Sequence, residues 1–230
     1  MNYNYYKIQL TKILCSFCLH ATLHAQSSIS HSNTCDTFSI VNKNNTSIIY
    51  YDASGFEVAY IASNLLAEDI ERVTGKKPIV SIDKPKSKTA IIIGTQGSSA
   101  IIDKLIKKNI NTRDLNGSWE RYIYKTIKNP LPNVDEALVI IESDRRGTAY
   151  GVFDLSQTIG VSPWYWWADV PTVKRNELII NSVNLISKVP FVKYRGVFLN
   201  DEDWELKSWA SKLMIKAPKP MKKFLNYYCV

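Results

Sequence analysis

A chain of 230 residues, 45% of them hydrophobic, can bury one good core and the beginning of a second, and its formal charge of +8 raises the question of a polyanionic partner. The charge sits at the two ends: Lys7 and Lys12 carry two of it and Lys212, Lys216, Lys219, Lys222 and Lys223 carry five, with no acid in either segment, which leaves +1 for residues 26–210. A body this close to neutral removes the electrostatic case for nucleic acid as a partner.

At the start of the chain, Lys7 and Lys12 precede or interrupt an apolar run that reaches Leu23, and Leu23-His24-Ala25 before Gln26 suits a signal peptidase. The run is too short and too interrupted to span a bilayer, and nothing later approaches a span. Residues 1–25 are therefore expected to be a secretion signal, and the mature protein to be exported to the periplasm or the extracellular space. Cys15 and Cys18 form a C-x-x-C inside that signal, where neither redox nor metal chemistry is expected, and Cys35 and Cys229 alone make no zinc site. His20, His24 and His31 all precede the expected folded body. A Ser-His-Asp triad, a Cys-His dyad and a histidine metal cage drop out, so acid–base chemistry falls to carboxylates, tyrosine or lysine, and no cofactor is expected.

The body then alternates strands and helices. Ser47–Tyr51 (SIIYY) reads as a strand. After Gly55 comes a helix whose apolar face is Val58, Ala62, Leu65, Leu66, Ile70 and Val73, with Gly75 as its C-terminal cap and Pro78 beyond it. Thr89–Ile93 (TAIII) is a buried-type strand running into GTQGSS, which lacks G-K-[ST] and does not match G-x-G-x-x-G, so it reads as a turn in which Ser98 caps a helix over 99–108. A strand from Arg121 and another at Ala137–Ile141 (ALVII) follow. A helix then runs from about Gly147 to Thr158, with Ala149, Val152, Phe153 and Ile159 on one face and Gly160 as its stop. This order predicts one α/β layer domain over residues 36–188.

Two further segments carry chemistry. In SDRRGTAYGVFDLSQTIGVSPWYWWADVP, from Ser143 to Pro171, Arg145 and Arg146 are adjacent and Trp164, Trp166 and Trp167 crowd into four positions. In Tyr194–Trp204 an apolar VFL ends in Asn200, Asp201, Glu202 and Asp203, with Trp204 directly behind. Acids at the carboxyl end of a buried strand are how a (β/α)8 barrel builds a catalytic face. A solvated or calcium-friendly turn has the same composition.

These segments, with LLAEDIERVTGKKP and AIIIGTQGSS, resemble glycoside hydrolase family 115, the xylan α-1,2-glucuronidases, over most of residues 47–210. The resemblance implies a mixed-sheet α/β accessory domain similar to the small domain preceding the barrel in hexosaminidases, then the start of a (β/α)8 barrel over 191–210, with Tyr194–Asp201 as its first strand. It implies removal of glucuronic acid or its 4-O-methyl form from xylan, with inversion and without a metal. The implied partners are glucuronoxylan or aldouronic oligosaccharides. Asn200 and Asp201 match the family's Asn-Asp pair in the substrate pocket, and Glu202 and Trp204 would lie beside them. By the same resemblance the SDRRG turn and the tryptophan loop lie where the small domain meets the barrel. Tryptophan faces stack on sugar rings and paired arginine hydrogen bonds suit a uronate carboxylate. The competing reading of Trp164 is interdomain packing, and that of Arg145 and Arg146 is pinning of the helix start to a neighbouring acid. An alternative for the whole chain is a stand-alone carbohydrate-binding or protein-interaction module that uses the aromatic loop as its surface.

A closed barrel takes roughly 200 residues or more, and the chain is expected to hold only its beginning and to be inactive alone. Residues 211–230 lose all acids. With suitable codons, KPMKKFLNYYCV shifted by one base reads KTYEKIFELLLR, which has the spacing of an amphipathic helix. The tail is therefore expected to be out of frame.

Overall fold

The computed structural model describes residues 29–30, 37–165, 170–181 and 184–196 of the chain. The expected signal, the tryptophans at 166 and 167, Asn200, Asp201, Glu202, Trp204 and the expected out-of-frame tail lie outside the described residues. Of the expected barrel strand, Tyr194, Arg195 and Gly196 are described, and they are not in a strand.

In chain order the elements are β1 (Ile29–Ser30), β2 (Thr37–Val41), β3 (Ile48–Tyr51), α1 (Glu57–Thr74), β4 (Val80–Ser81), β5 (Thr89–Thr95), α2 (Ala100–Asn109), β6 (Tyr122–Leu131), β7 (Val134–Glu142), α3 (Arg145–Thr158), β8 (Leu178–Asn181) and β9 (Asn184–Ile186). The fold is mixed α/β. Six strands form one sheet in the order β4-β3-β5-β7-β6-β9, in which β4, β3, β5 and β7 run parallel and β6 and β9 are antiparallel to their neighbours. A second sheet has the order β1-β8-β2.

The central parallel strands are almost wholly apolar because helices cover both faces. Side chains alternate across the sheet, so Ile91, Ile93, Leu138 and Ile140 pack with Leu66 and Ile70 of α1 and Val152 and Leu155 of α3. Ile92, Val139 and Ile141 face the other way and pack with Ile102 and Leu105 of α2. Phe38, Ile40, Leu178 and Ile180 bring the small sheet into the first of these clusters. Since α1 and α3 each follow a parallel strand and share one face, both start at the strands' carboxyl edge.

The helix face read for α1 is buried at each of its six positions, and Gly75 takes the left-handed conformation (φ 74°) with its N–H on Glu71 O. Three local readings are corrected. Strand β5 runs on to Thr95, because Gly94 and Thr95 are themselves buried and pair with Ile141 and Glu142 of β7. The cap of α2 is Ser99 rather than Ser98, its hydroxyl accepting from Ile102 N at 3.4 Å. Helix α3 begins at Arg145 rather than Gly147, because Asp144 caps it by accepting from Gly147 N at 2.8 Å, and Phe153 is half-buried while Gly151 and Leu155 complete the packed face.

Candidate functional site

The head of α3 is stitched to the start of β6 by backbone and side-chain hydrogen bonds. Asp144 uses one carboxylate oxygen for Gly147 N and the other for Glu120 N at 2.7 Å. Arg121 N donates to Ser143 Oγ at 3.0 Å and Ser143 N to Arg121 O at 2.9 Å. The fit is close enough that a Cβ on Gly147 would stand 2.7 Å from Arg121 O. Glu120 adopts a left-handed backbone (φ 57°), an uncommon state for a residue with a side chain, and this turn directs its amide at Asp144.

The Glu120 side chain is 4% exposed and holds two guanidinium groups. One oxygen accepts from Arg146 Nη1 at 2.8 Å and the other from Arg195 Nη2. The Arg195 guanidinium lies over the rings of Trp119 and Tyr150, 5.7 and 5.6 Å from their centroids, and Nη1 donates to Val192 O at 2.6 Å. Arg121 holds the preceding stretch, donating to Ser187 O through Nε and Nη2 and to Asp114 O through Nη1. Residues 187–195 are thus fixed along this edge, five residues short of Asn200.

Around the clamp lies a hollow of about 250 Å3 lined by Trp119, Glu120, Asp144, Arg145, Arg146 and Lys193. Arg146 is committed to Glu120, as one of the two sequence readings had it. Arg145 has no ion pair among the described residues, so with Lys193 it leaves cationic groups for a carboxylate in this hollow.

Trp164 does not join them. It lies in a short 3-10 turn (Pro163–Tyr165) after the C-terminal end of α3, whose 14 residues at about 1.5 Å each separate it from the arginines by roughly 20 Å. Its neighbour Tyr165 sits under the guanidinium of Arg72 in the last turn of α1, 5.0 Å from the ring centroid. Arg145 and Trp164 therefore stand at opposite ends of α3, and Trp164 is 61% exposed. Between them, along α3, runs a second hollow of about 370 Å3 lined by residues that include Tyr122, Tyr150, Asp154 and Gln157.

Glu142, the last residue of β7, is fully buried, and neither carboxylate oxygen has a hydrogen bond of ordinary geometry. Burial pushes its pKa well above the ordinary carboxyl value, against weaker opposing contacts from the Thr148 hydroxyl and the Gly94 amide. No group of three or more His, Cys, Asp or Glu side chains among the described residues is placed to hold a metal ion, and none of their helices is long and apolar enough to cross a membrane.

No family model and no curated protein matches the chain. A solved GH115 4-O-methyl-α-glucuronidase, BtGH115A, with specificity for decorated arabinogalactans, superposes on 84% of this chain with a TM-score of 0.65 at 25% identity. The fold is GH115-like. The chain spans 24% of the length of that GH115 structure. Another solved structure, CpGH84D, covers 67% of this chain and 22% of its own at 14% identity and a TM-score of 0.39, too loose to bear on the argument.

Within the GH115-like frame, Glu120, Asp144 and Arg195 organise the strand edge, and sequence reasoning did not single them out. Glu120 lies in an unpatterned polar turn, and its partner Arg195 is 75 residues away. Asp144 had a legible signal, an Asp three residues before a glycine at the start of a helical pattern.

Proposed function

We propose that the chain is the α/β portion of an exported GH115-type glycoside hydrolase that removes glucuronic acid or 4-O-methylglucuronic acid from a plant polysaccharide. The superposition over 84% of the chain is the observation that carries this reading. The sequence resemblance points to xylan as the decorated chain, and the solved relative is named for decorated arabinogalactans. The glucuronyl group is common to both.

In this reading the α/β layer holds the approach to the catalytic strand. Glu120 grips Arg195, and Asn200 and Asp201 follow within six residues. Arg145 and Arg146, with Glu202 and Trp204, are the proposed substrate contacts, Arg145 being the one whose charge is free for a uronate, and Trp164, at the other end of α3, is proposed to meet a different part of the polysaccharide. Inverting hydrolysis places an acid and a base about 6.5–9.5 Å apart on opposite faces of the sugar, which the adjacent Asp201 and Glu202 cannot do. The second carboxylate comes from another barrel strand, so the 230 residues alone are expected to be inactive.

The test is release of uronic acid from glucuronoxylan and from decorated arabinogalactan, by this chain and by the chain extended through whichever downstream frame of its gene continues the barrel. The extended form should release it from one of the two. Asp201→Asn should lower turnover by several orders of magnitude with the fold intact, as for a group acting in the transition state. Near-normal turnover in that variant would take Asp201 out of the site, and no release from either polymer would end the hydrolase reading.

A further inference from the structure

The hollow along α3 has no part in the proposed hydrolysis. Tyr150, Phe153, Asp154 and Gln157 follow helical spacing and share one stripe of α3, Tyr122 of β6 also lines the hollow, and so do Ser162 and Pro163 beyond the helix. Gly151 lets the two elements meet, since a Cβ there would come within 3.1 Å of both Tyr122 Cβ and Ile140 Cγ2.

The lining is held in place before any ligand arrives. The Tyr122 and Tyr124 rings lie 5.3 Å apart, and Asp154 accepts from the Tyr124 hydroxyl at 3.0 Å. Burial, then the Asp154 carboxylate, raises the Tyr122 pKa above the ordinary phenol value. Arg195 lies over one face of the Tyr150 ring.

Three aromatic rings line the hollow together with a carboxylate, an amide and the Ser162 hydroxyl. That is the pattern of a pyranose, with apolar C–H faces and hydroxyls around the rim. None of the lining residues is a cation, unlike the hollow at the head of the helix, so the chemistry suits a neutral sugar rather than a uronate. We propose that this hollow binds a neutral pyranose unit of a polysaccharide backbone, packed against the Tyr122 and Tyr150 rings with its hydroxyls on Asp154, Gln157 and Ser162. Such binding needs no catalytic group and stands independently of the hydrolase reading.

The test uses the full 230-residue chain, labelled with 15N and titrated with xylotriose, with galactobiose and with free glucuronic acid. Saturable amide shifts at Tyr150, Phe153, Gln157 and Ser162 are expected with one of the two neutral sugars. Tyr150→Ala should weaken that binding about tenfold. Gln157→Ala, at an exposed position, should weaken it without unfolding risk. No saturable shift with either neutral sugar, shifts that map away from α3, or shifts with glucuronic acid alone would each overturn the proposal. Binding by a chain whose extended form releases no uronic acid would sink only the hydrolase reading, and release without binding would sink only this one.

Discussion

Glu120 gives each carboxylate oxygen its own guanidinium, whereas Glu142, at the same edge of the same sheet, has neither oxygen in a hydrogen bond of ordinary geometry. The difference comes from where each side chain leaves the backbone. Glu120 lies just before β6 in a left-handed turn, outside the strand, and reaches both the first turn of α3 and the 192–195 stretch. Glu142 is inside β7, and strand alternation puts it on the face of Leu138 and Ile140, beneath α3. Cations come to Glu120 and none comes to Glu142, so burial holds the Glu142 pKa well above the ordinary carboxyl value and the Thr148 hydroxyl and Gly94 amide only soften the effect.

Gly147 stands between the two acids, and changing it should give the largest effect. A Cβ there would meet Arg121 O at 2.7 Å and Glu142 Cβ at 3.4 Å, and the first of these is backbone that cannot swing aside. Gly147→Ala should lift the head of α3 off both regions at once and lose about 3 kcal/mol of stability in urea unfolding. A loss under about 0.5 kcal/mol, the range of an ordinary surface change, would show that the helix head is not pressed on the strand edge.

Glu142→Gln should act in the opposite direction and depend on pH. The folded carboxyl holds its proton more firmly than the unfolded one, so the folded state binds more protons above the ordinary value of 4.5. The contribution of Glu142 to stability is then full below that value and is lost as pH rises towards its folded pKa. Glutamine cannot titrate, so the variant should gain on the native chain by about 1.4 kcal/mol for each pH unit crossed in that window and match it more nearly at pH 4. Thermal melts of both chains between pH 4 and pH 8 would read this. A difference that did not grow with pH would mean that the fold does not raise the Glu142 pKa.

The apolar half of this comparison was legible in the sequence and the polar half was not. The TAIII and ALVII runs announce buried parallel strands, and the Val58–Val73 spacing with Gly75 announces α1, because hydrophobic period and caps are local signals. The short strands β8 and β9 gave no such signal, since their pairing with β2 and β6 is made across more than fifty residues. The arginine pair was visible, but the commitment of Arg146 depends on Glu120, 26 residues upstream. The separation of Trp164 from those arginines follows from α3 being one unbroken helix between them, and a helix from about Gly147 to Thr158 was legible in the sequence.

Glu120→Gln should be the mildest of the three changes. Both guanidinium groups are well exposed, the Arg146 side chain at 48% and that of Arg195 at 36%, so water and salt screen their attraction to the carboxylate. Glutamine keeps one acceptor for Arg195 or Arg146 and loses the charge, which should cost about 1 kcal/mol. The native clamp should weaken as sodium chloride rises and the variant should not, so the gap between their melting temperatures should narrow with salt. A larger loss that ignored salt would mean that the clamp acts mainly by filling the space between Arg146 and Arg195. In that case the grip on the 187–195 stretch, and with it the approach to Asn200 and Asp201, would rest on shape rather than charge.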